Sequence, residues 1–209
     1  MRKQRISKPF KELKKSILIY CDGDTEKNYI ISLKEDRYKH CPIKIEPKLQ
    51  NKGFSNVFKF LREMKRTGDA EFYHCILYVL DMDTIYQDRR LAAYKAERDR
   101  LQSAFEDGFL SCIESRPCIE FWFVLHFRHS DKLFSNYDET RRVLQNDLPD
   151  YEKTNKYSQT VYYKLKGKLS NAINRAKEIE TRHNAIDLSE DYSYTHMHIL
   201  IEVLDKLFE

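Results

Sequence analysis

Short apolar runs alternate with segments of helical apolar spacing over the first 130 residues. The pattern predicts strands at 16–21, 41–49, 72–80 and 108–113. It predicts helices at 25–38, 55–68, 88–106 and 118–127. Asp24 or Thr25 would cap the first helix and Ser55 the second, and Pro117 would take the first position of the fourth. This alternation favours an α/β fold: a central, mainly parallel four-stranded sheet flanked by helices, with 72–80 in the middle.

The spacing of apolar residues is helical throughout the remainder of the chain. Helices are predicted at 136–148, 162–180 and 195–208, with a polar loop at 149–159. We therefore predict three parts. They are a basic N-terminal arm at 1–15, an α/β core at 16–130, and a C-terminal helical extension at 131–209 that packs on the core.

Charge and cysteine content narrow the class of protein. The 209 residues carry 37 basic and 33 acidic side chains, a net charge of +4, and the arm holds seven of the basic residues. Such an arm would bind the phosphate backbone of a nucleic acid, or it would be a solvated tail. Five cysteines without a CxxC spacing indicate reduced thiols rather than a zinc site. With no apolar leader and no membrane-length apolar run, we expect a cytoplasmic protein that does not bind membranes.

Carboxylates follow two of the predicted strands. Asp22 ends the first strand, and Asp81 and Asp83 end the central one. Parallel strands present their carboxyl ends at one sheet edge, and Mg²⁺ prefers carboxylate oxygens, so these three side chains are candidate ligands for Mg²⁺, with Mn²⁺ as a substitute. Glu26, one turn into the next helix, would bind a second ion or position water, whereas Asp24 is explained by a role as a helix cap.

A phosphatase interpretation of the same residues also exists. The run LYVLDMDTI resembles the first motif of haloacid-dehalogenase-type phosphatases, in which Asp81 would be the nucleophile and Asp83 the acid. That fold usually starts with this motif and adds a later strand ending in paired acids. Here the motif falls on the third strand, and the late acids Asp187, Glu190 and Asp191 follow no apolar run, so a site for metal-assisted phosphoryl transfer is favoured.

Several blocks, taken together and in order, resemble the RloB family. They are ILIYCDGDTEKNY (17–29), DMD (81–83), SRPCIEFWFVLHF (115–127), AINRAKEIE (172–180) and YTHMHILIEVL (194–204). The resemblance implies a Toprim-like fold and a Mg²⁺-dependent nuclease. It also implies an effector of AbiL type in bacterial anti-phage abortive infection, acting with an ABC/SMC-like ATPase encoded nearby.

The resemblance assigns roles to individual positions. Thr25, Glu26 and Tyr29 match the family's TExxY, and Asp81 and Asp83 match the Toprim DxD. Asp22 stands where Toprim proteins usually have Glu, and its shorter side chain would move the ion or recruit a bridging water. In the third block Ser115, Glu120, Trp122 and His126 match. Glu120 would complete the catalytic site or satisfy nearby amides. Ser115 and His126 are possible accessory residues, His126 being a base or a core histidine, and Trp122 is expected in the core.

Cations and tyrosines in the second half of the chain suggest a nucleic-acid surface. Arg116, Lys153, Lys156 and Lys164 are candidate backbone contacts, and Tyr151, Tyr157, Tyr162 and Tyr163 are interleaved with the lysines. The alternative is a solvated helix face whose tyrosines pack inward.

Two functions follow from these residues. One is a metal-dependent nuclease acting on RNA (tRNA included) or DNA. The other is a Toprim-fold module that docks to the ATPase or to nucleic acid without cleaving. Both are compatible with assembly into a homo-oligomer.

Overall fold

A computed structural model describes residues 16–46, 53–186 and 192–208, and it contains one mostly parallel sheet. Its strands are β1 (Ser16–Cys21), β2 (Ile43–Glu46), β3 (Tyr73–Asp81), β4 (Leu110–Arg116) and β5 (Tyr194–Thr195). The spatial order is β2-β1-β3-β4-β5, with β1 to β4 parallel and β5 antiparallel to β4. The predicted basic arm and the end of the predicted strand 41–49 lie outside the described residues.

Helices precede and follow the strands along the chain. They are α1 (Asp24–Arg37), α2 (Phe54–Thr67), α3 (Asp83–Gln87), α4 (Leu91–Gln102), α5 (Glu120–Phe127), α6 (Tyr137–Leu144), α7 (Asn155–Leu165), α8 (Leu169–Ile186) and α9 (Met197–Phe208). Two 3₁₀ turns, Asp69–Phe72 and Lys166–Lys168, precede β3 and α8. No helix in the described part of the chain is long and apolar enough to cross a membrane.

The sheet is buried on both faces because its strands are apolar at successive positions. In β1, Ile17 and Ile19 belong to one core cluster, which also includes side chains of α1 and of α5 to α9. Leu18 and Tyr20 belong to the other cluster, with side chains of α2 and α4. The fold is therefore an α/β/α sandwich in which both faces of a mainly parallel sheet are covered.

The C-terminal segment completes the sheet. β5 pairs with β4 through Thr195 opposite Ser115, so the prediction of four strands was wrong. A strand of two residues has no periodicity to detect, and it directly precedes α9. Side chains of α6 to α9 share a single core cluster with β1, β3 and α1.

The predicted polar loop at 149–159 is confirmed only as far as Thr154. α7 begins at Asn155, and the Thr154 hydroxyl oxygen accepts a hydrogen bond from the Tyr157 amide at 3.2 Å. The first turn of α7 is mostly polar and exposed, and its buried side chains begin at Ser158, so the sequence pattern obscured the start. The predicted helix at 88–106 is shorter in the structure, where it corresponds to α4, and the separate helix α3 lies before it.

Three predicted helix starts and one strand end were misplaced. Glycines cap α1 and α2, and neither helix has a side-chain cap, so Asp24, Thr25 and Ser55 are not capping residues. Gly53 adopts φ +107°, a conformation that favours glycine. β4 runs on to Arg116 because it pairs with β3 and β5, and Pro117 precedes α5 by three residues.

Candidate active site

An acidic cleft lies at the carboxyl ends of β1 and β3. Its volume is about 580 Å³, and it also includes the first residues of α1, α2 and α7. The acidic residues of the lining are Asp22, Asp24, Glu26, Asp81, Asp83 and Asp88, and the basic ones are Arg90 and Lys153. With every group ionised, these six acids and two bases leave a charge of −4. The structure thus brings together the predicted residues Asp22, Glu26, Asp81 and Asp83 from β1, α1 and the end of β3.

Glu26 is buried at the floor of the cleft, in the first turn of α1. Only 3% of its surface is exposed. Its carboxylate folds back over Gly23, so that a Cβ at position 23 would lie 2.2 Å from Glu26 Oε2. Glycine is therefore required at position 23, because a residue without a side chain leaves the space that the Glu26 carboxylate occupies.

The Glu26 and Asp81 carboxyl groups are hydrogen bonded to each other. Burial raises the pKa of Glu26 to about 7, with a further rise from the charge of Glu120. Burial and the neighbouring carboxylates Glu26 and Glu120 likewise raise the pKa of Asp81 well above its usual range. Burial and the proximity of the two groups therefore favour a protonated form of this pair, whereas a bound cation would favour the ionised form.

Backbone amides orient both acids of the DMD motif. Asp81 Oδ1 accepts a hydrogen bond from the Ile119 amide at 2.8 Å, in the turn before α5. Asp83 Oδ1 accepts from the Thr84 amide at 2.6 Å. The Met82 and Asp83 amides both donate to the Pro117 carbonyl, at 3.0 and 2.9 Å, so the turn after β3 is fixed against the turn after β4.

Lys153 brings a cation from the loop before α7 to this cluster. Its Nζ lies 3.2 Å from Glu120 Oε1 and 3.9 Å from Asp81 Oδ2. Although burial alone would lower it, the charges of Glu120 and Asp81 raise the pKa of Lys153 above its usual value. The Tyr151 hydroxyl donates to the same Glu120 Oε1 at 2.7 Å, and Glu120 Oε2 is buried without a hydrogen-bond partner among the described residues. Glu120 is therefore held between Lys153 and Tyr151.

The donor set suits a divalent cation in its chemistry. The acids around the cleft supply oxygen ligands only and exceed the bases by four charges, which fits Mg²⁺ or Mn²⁺. Within residues 16–46, 53–186 and 192–208, however, no three carboxylate, histidine or cysteine groups are arranged as a ready-made metal cage. A cation would thus rely on some rearrangement of these side chains or on water ligands.

Ser115 and His126 lie apart from the residues that line the cleft. Ser115 Oγ hydrogen bonds to Thr195 Oγ1 at 2.8 Å and joins β4 to β5. His126 is fully buried, its Nδ1 lies 2.9 Å from the Trp122 carbonyl, and burial lowers its pKa to about 4. Trp122 is in the core as expected, and its Nε1 donates to the Tyr29 hydroxyl at 2.8 Å. These residues stabilise the fold around the site.

The predicted nucleic-acid contacts are dispersed. Arg116 stacks on the ring of Tyr86 at 3.8 Å, and Lys164 is paired with Asp150. Lys156 is exposed on α7 outside the cleft, so Lys153 alone of the four lines the cleft. Among the interleaved tyrosines, Tyr151 and Tyr162 are core residues, whereas Tyr163 is 46% exposed. The inward-packing alternative is therefore correct for those two tyrosines.

Sequence reasoning missed one wall of the cleft. Thr154, Asn155 and Ser158 line it, and the Asn28 side-chain amide ties α7 to α1 by donating to Asn155 Oδ1 and Ser158 Oγ, each at 2.7 Å. Arg90, on the opposite part of the lining formed with Phe54, was also missed. The polar composition of 153–158 is typical of a loop. The signal for a helix was Thr154 followed by Asn155, residue types that favour helix N-caps.

Comparison with known proteins identifies a family. A sequence model described as RloB-like protein matches residues 17–204, which is most of the chain. Neither the comparison with curated proteins nor that with solved structures finds a match.

Proposed function

This chain belongs to the RloB-like protein family, and we propose that it is a divalent-cation-dependent nuclease whose active site is the acidic cleft. The observation that carries this proposal is the set of Asp22, Glu26, Asp81 and Asp83 around one cavity at the carboxyl edge of a parallel sheet. Ligand sites of open α/β sheets lie at this edge. A cleft with an excess of four negative charges would repel a nucleic acid unless cations intervene.

The reaction is hydrolysis of a phosphodiester bond. A water oxygen forms a bond to phosphorus, the bond from phosphorus to the leaving sugar oxygen breaks, and that oxygen takes up a proton. Asp22, Asp81 and Asp83 would hold Mg²⁺ or Mn²⁺, which would neutralise the phosphate and lower the pKa of water. Glu26, with a pKa near 7, is able to exchange a proton with water at physiological pH.

The cellular role we propose follows the family resemblance. The nuclease would be the effector of a bacterial anti-phage abortive-infection system and would act with an ABC/SMC-like ATPase partner in the cytoplasm. Its substrate would be RNA, tRNA included, or DNA.

A second candidate is a module that binds the ATPase or nucleic acid without cleaving. Two observations favour it: no three ligands form a metal cage among the described residues, and burial raises the pKa of both Glu26 and Asp81, which disfavours their ionised forms. Asp22 also favours this candidate, because its side chain is shorter than the Glu that Toprim proteins usually have at this position.

Cleavage assays separate the two candidates. Purified protein, alone and with the ATPase and ATP, is incubated with labelled tRNA, single-stranded RNA and DNA in Mg²⁺, Mn²⁺ or EDTA. We expect cleavage that depends on the metal and is lost in Asp81→Asn and in Asp83→Asn. Asp99→Asn, an exposed aspartate on α4, is the matched control and should cleave normally. Cleavage that persists in both site variants, or no cleavage in any mixture despite a stable complex with the ATPase, would reject the nuclease.

A further inference from the structure

The position of Lys153 bears on how the cleft treats a substrate. We propose that Lys153 donates a hydrogen bond to a non-bridging oxygen of the reacting phosphodiester, and that Glu120 and Tyr151 position it. This inference rests on the proposed nuclease function. It gives Glu120 a positioning role through Lys153.

The contacts of Lys153 place its charge at the centre of the site. The ammonium lies 3.9 Å from Asp81 Oδ2, and Asp81 is the acid that also meets Glu26. The Lys153 side chain lines the cleft and is 37% exposed, so the cation is accessible from the cavity. A phosphate that enters the site to meet a cation held by Asp81 therefore comes within reach of Lys153.

The ammonium has capacity for a ligand. It carries three N–H donors, and within the described chain only Glu120 and Asp81 offer carboxylate oxygens within 4.0 Å of it. The Asp81 oxygen, at 3.9 Å, is beyond hydrogen-bond distance. A donor that is not committed to a protein carboxylate remains for a phosphate oxygen.

Three side chains fix the ammonium in place. Glu120 Oε1, on α5, attracts it at 3.2 Å, and the hydroxyl of Tyr151, in the same loop as Lys153, donates to that carboxylate oxygen. The Tyr137 ring lies 4.5 Å from Nζ, within the range of a cation–π contact. Glu120 and Tyr151 are 0% and 1% exposed, so this support is rigid. A cation held in advance stabilises developing charge without reorganisation during the reaction.

Arg90 differs from Lys153 although it lines the same cleft. Its guanidinium stacks on Phe54 at 4.6 Å and donates to Ser55 Oγ at 3.1 Å. Neither contact brings it to a carboxylate of the Glu26–Asp81 pair. We therefore expect Arg90 to contribute to the overall field of the cleft, and Lys153 to act on the reacting phosphate.

The test separates a role at the reacting phosphate from a structural salt bridge. Steady-state kcat and KM are measured with the oligonucleotide that the wild-type protein cleaves, for Lys153→Met, Lys153→Arg, Glu120→Gln and Tyr151→Phe. The matched control is Lys206→Met, an exposed lysine on α9 that lies outside the cleft. Each variant is first checked by circular dichroism and thermal unfolding.

We expect Lys153→Met to lower kcat about 100-fold, in line with the loss of one preorganised donor to a developing charge. KM should change much less. Lys153→Arg keeps a cation, so its kcat should be at least tenfold higher than that of Lys153→Met. Glu120→Gln and Tyr151→Phe should lower kcat by smaller factors with KM unchanged, and Lys206→Met should stay within twofold of the wild-type kcat.

A second readout does not depend on turnover. The affinity for a fluorescein-labelled form of the same oligonucleotide is followed by anisotropy in Ca²⁺, under conditions without cleavage, over a range of salt concentrations. Loss of one phosphate contact in Lys153→Met should reduce the slope of log affinity against log salt by about one. This measurement also serves if Lys153→Met folds poorly, because Lys153→Gln and Lys153→Arg bracket the effect.

The outcomes distinguish failure of the inference from failure of the proposed function. A Lys153→Met kcat within threefold of wild type, with an unchanged salt slope and an inactive Asp81→Asn, would overturn the role of Lys153 and leave the nuclease intact. Absence of any cleavage by the wild type, alone or with the ATPase, would overturn the nuclease and this inference with it.

Discussion

Replacing Glu26 with Gln should stabilise the protein above neutral pH. The Glu26 carboxyl group has a pKa of about 7 in the folded protein, compared with 4.5 as the reference value, chiefly because of burial. The folded state therefore binds more protons than the unfolded state between pH 4.5 and 7. Stability from this group is fully present below pH 4.5 and is lost as the pH rises through 7.

The size of the effect follows from the pKa change. A rise from 4.5 to about 7, at about 1.4 kcal/mol per pKa unit, corresponds to a loss of about 3 kcal/mol by pH 8. Glutamine keeps the shape of the side chain and cannot ionise, so Glu26→Gln avoids the loss. Removing the Glu26 charge also relieves Asp81, whose pKa it raises, and this adds to the gain with the same sign.

Urea unfolding at pH 5 and pH 8 provides the assay. The difference in unfolding free energy between Glu26→Gln and wild type should be about 3 kcal/mol more favourable at pH 8 than at pH 5. Taking the difference cancels groups that titrate in both proteins. Glu35→Gln, at an exposed position of the same helix, is the control and should show little pH dependence relative to wild type. The same difference at both pH values in Glu26→Gln would refute the reasoning.

Three further predictions concern residues around the site. Gly23→Ala should displace the Glu26 carboxylate, because the new Cβ would lie 2.2 Å from it. Calorimetry should then show Mn²⁺ binding that is at least tenfold weaker than in the wild type. The control is Gly167→Ala, whose Cβ has no described atom within 4 Å, and it should bind Mn²⁺ as the wild type does. Tyr29→Phe should cost about 1–3 kcal/mol in urea unfolding because it leaves the buried Trp122 N–H without its acceptor, and an unchanged midpoint would contradict this. His126 has a pKa of about 4 in the folded protein, compared with 6.5 as the reference value, so the unfolded state binds more protons between these two pH values. The contribution of His126 to stability should therefore fall by about 3 kcal/mol from pH 6.5 to pH 4. An NMR titration midpoint above pH 6 would show that the neutral form is not the buried one.

Local patterns were sufficient to predict the elements that carry the carboxylates. β1, α1 and β3 stand out because strands buried on both faces are continuous apolar runs, and the acids come directly after them. The shared cleft of Asp22 and Asp81 then follows from parallel pairing of adjacent strands.

The remainder of the site depends on contacts between distant parts of the chain. Lys153 meets Asp81 across 72 positions, and no periodicity in either segment encodes that contact. β5 is too short to produce a pattern, and α7 opens with polar residues that are equally typical of a loop. The folded-back Glu26 side chain depends on the space over Gly23, which is a property of three-dimensional packing.

Segments that are far apart in the sequence form one wall of the cleft, and this has a consequence for protein synthesis. Asn28 contacts Asn155 across 127 positions, and β5 adds its hydrogen bonds only near residue 195. Because translation delivers the N-terminal residues first, a nascent chain holds the acids of α1 and β3 well before Lys153 and α7 emerge. The cleft would thus be complete only after Ser158 has been synthesised, so a function that depends on Lys153 and α7 would be absent from the earlier nascent chain.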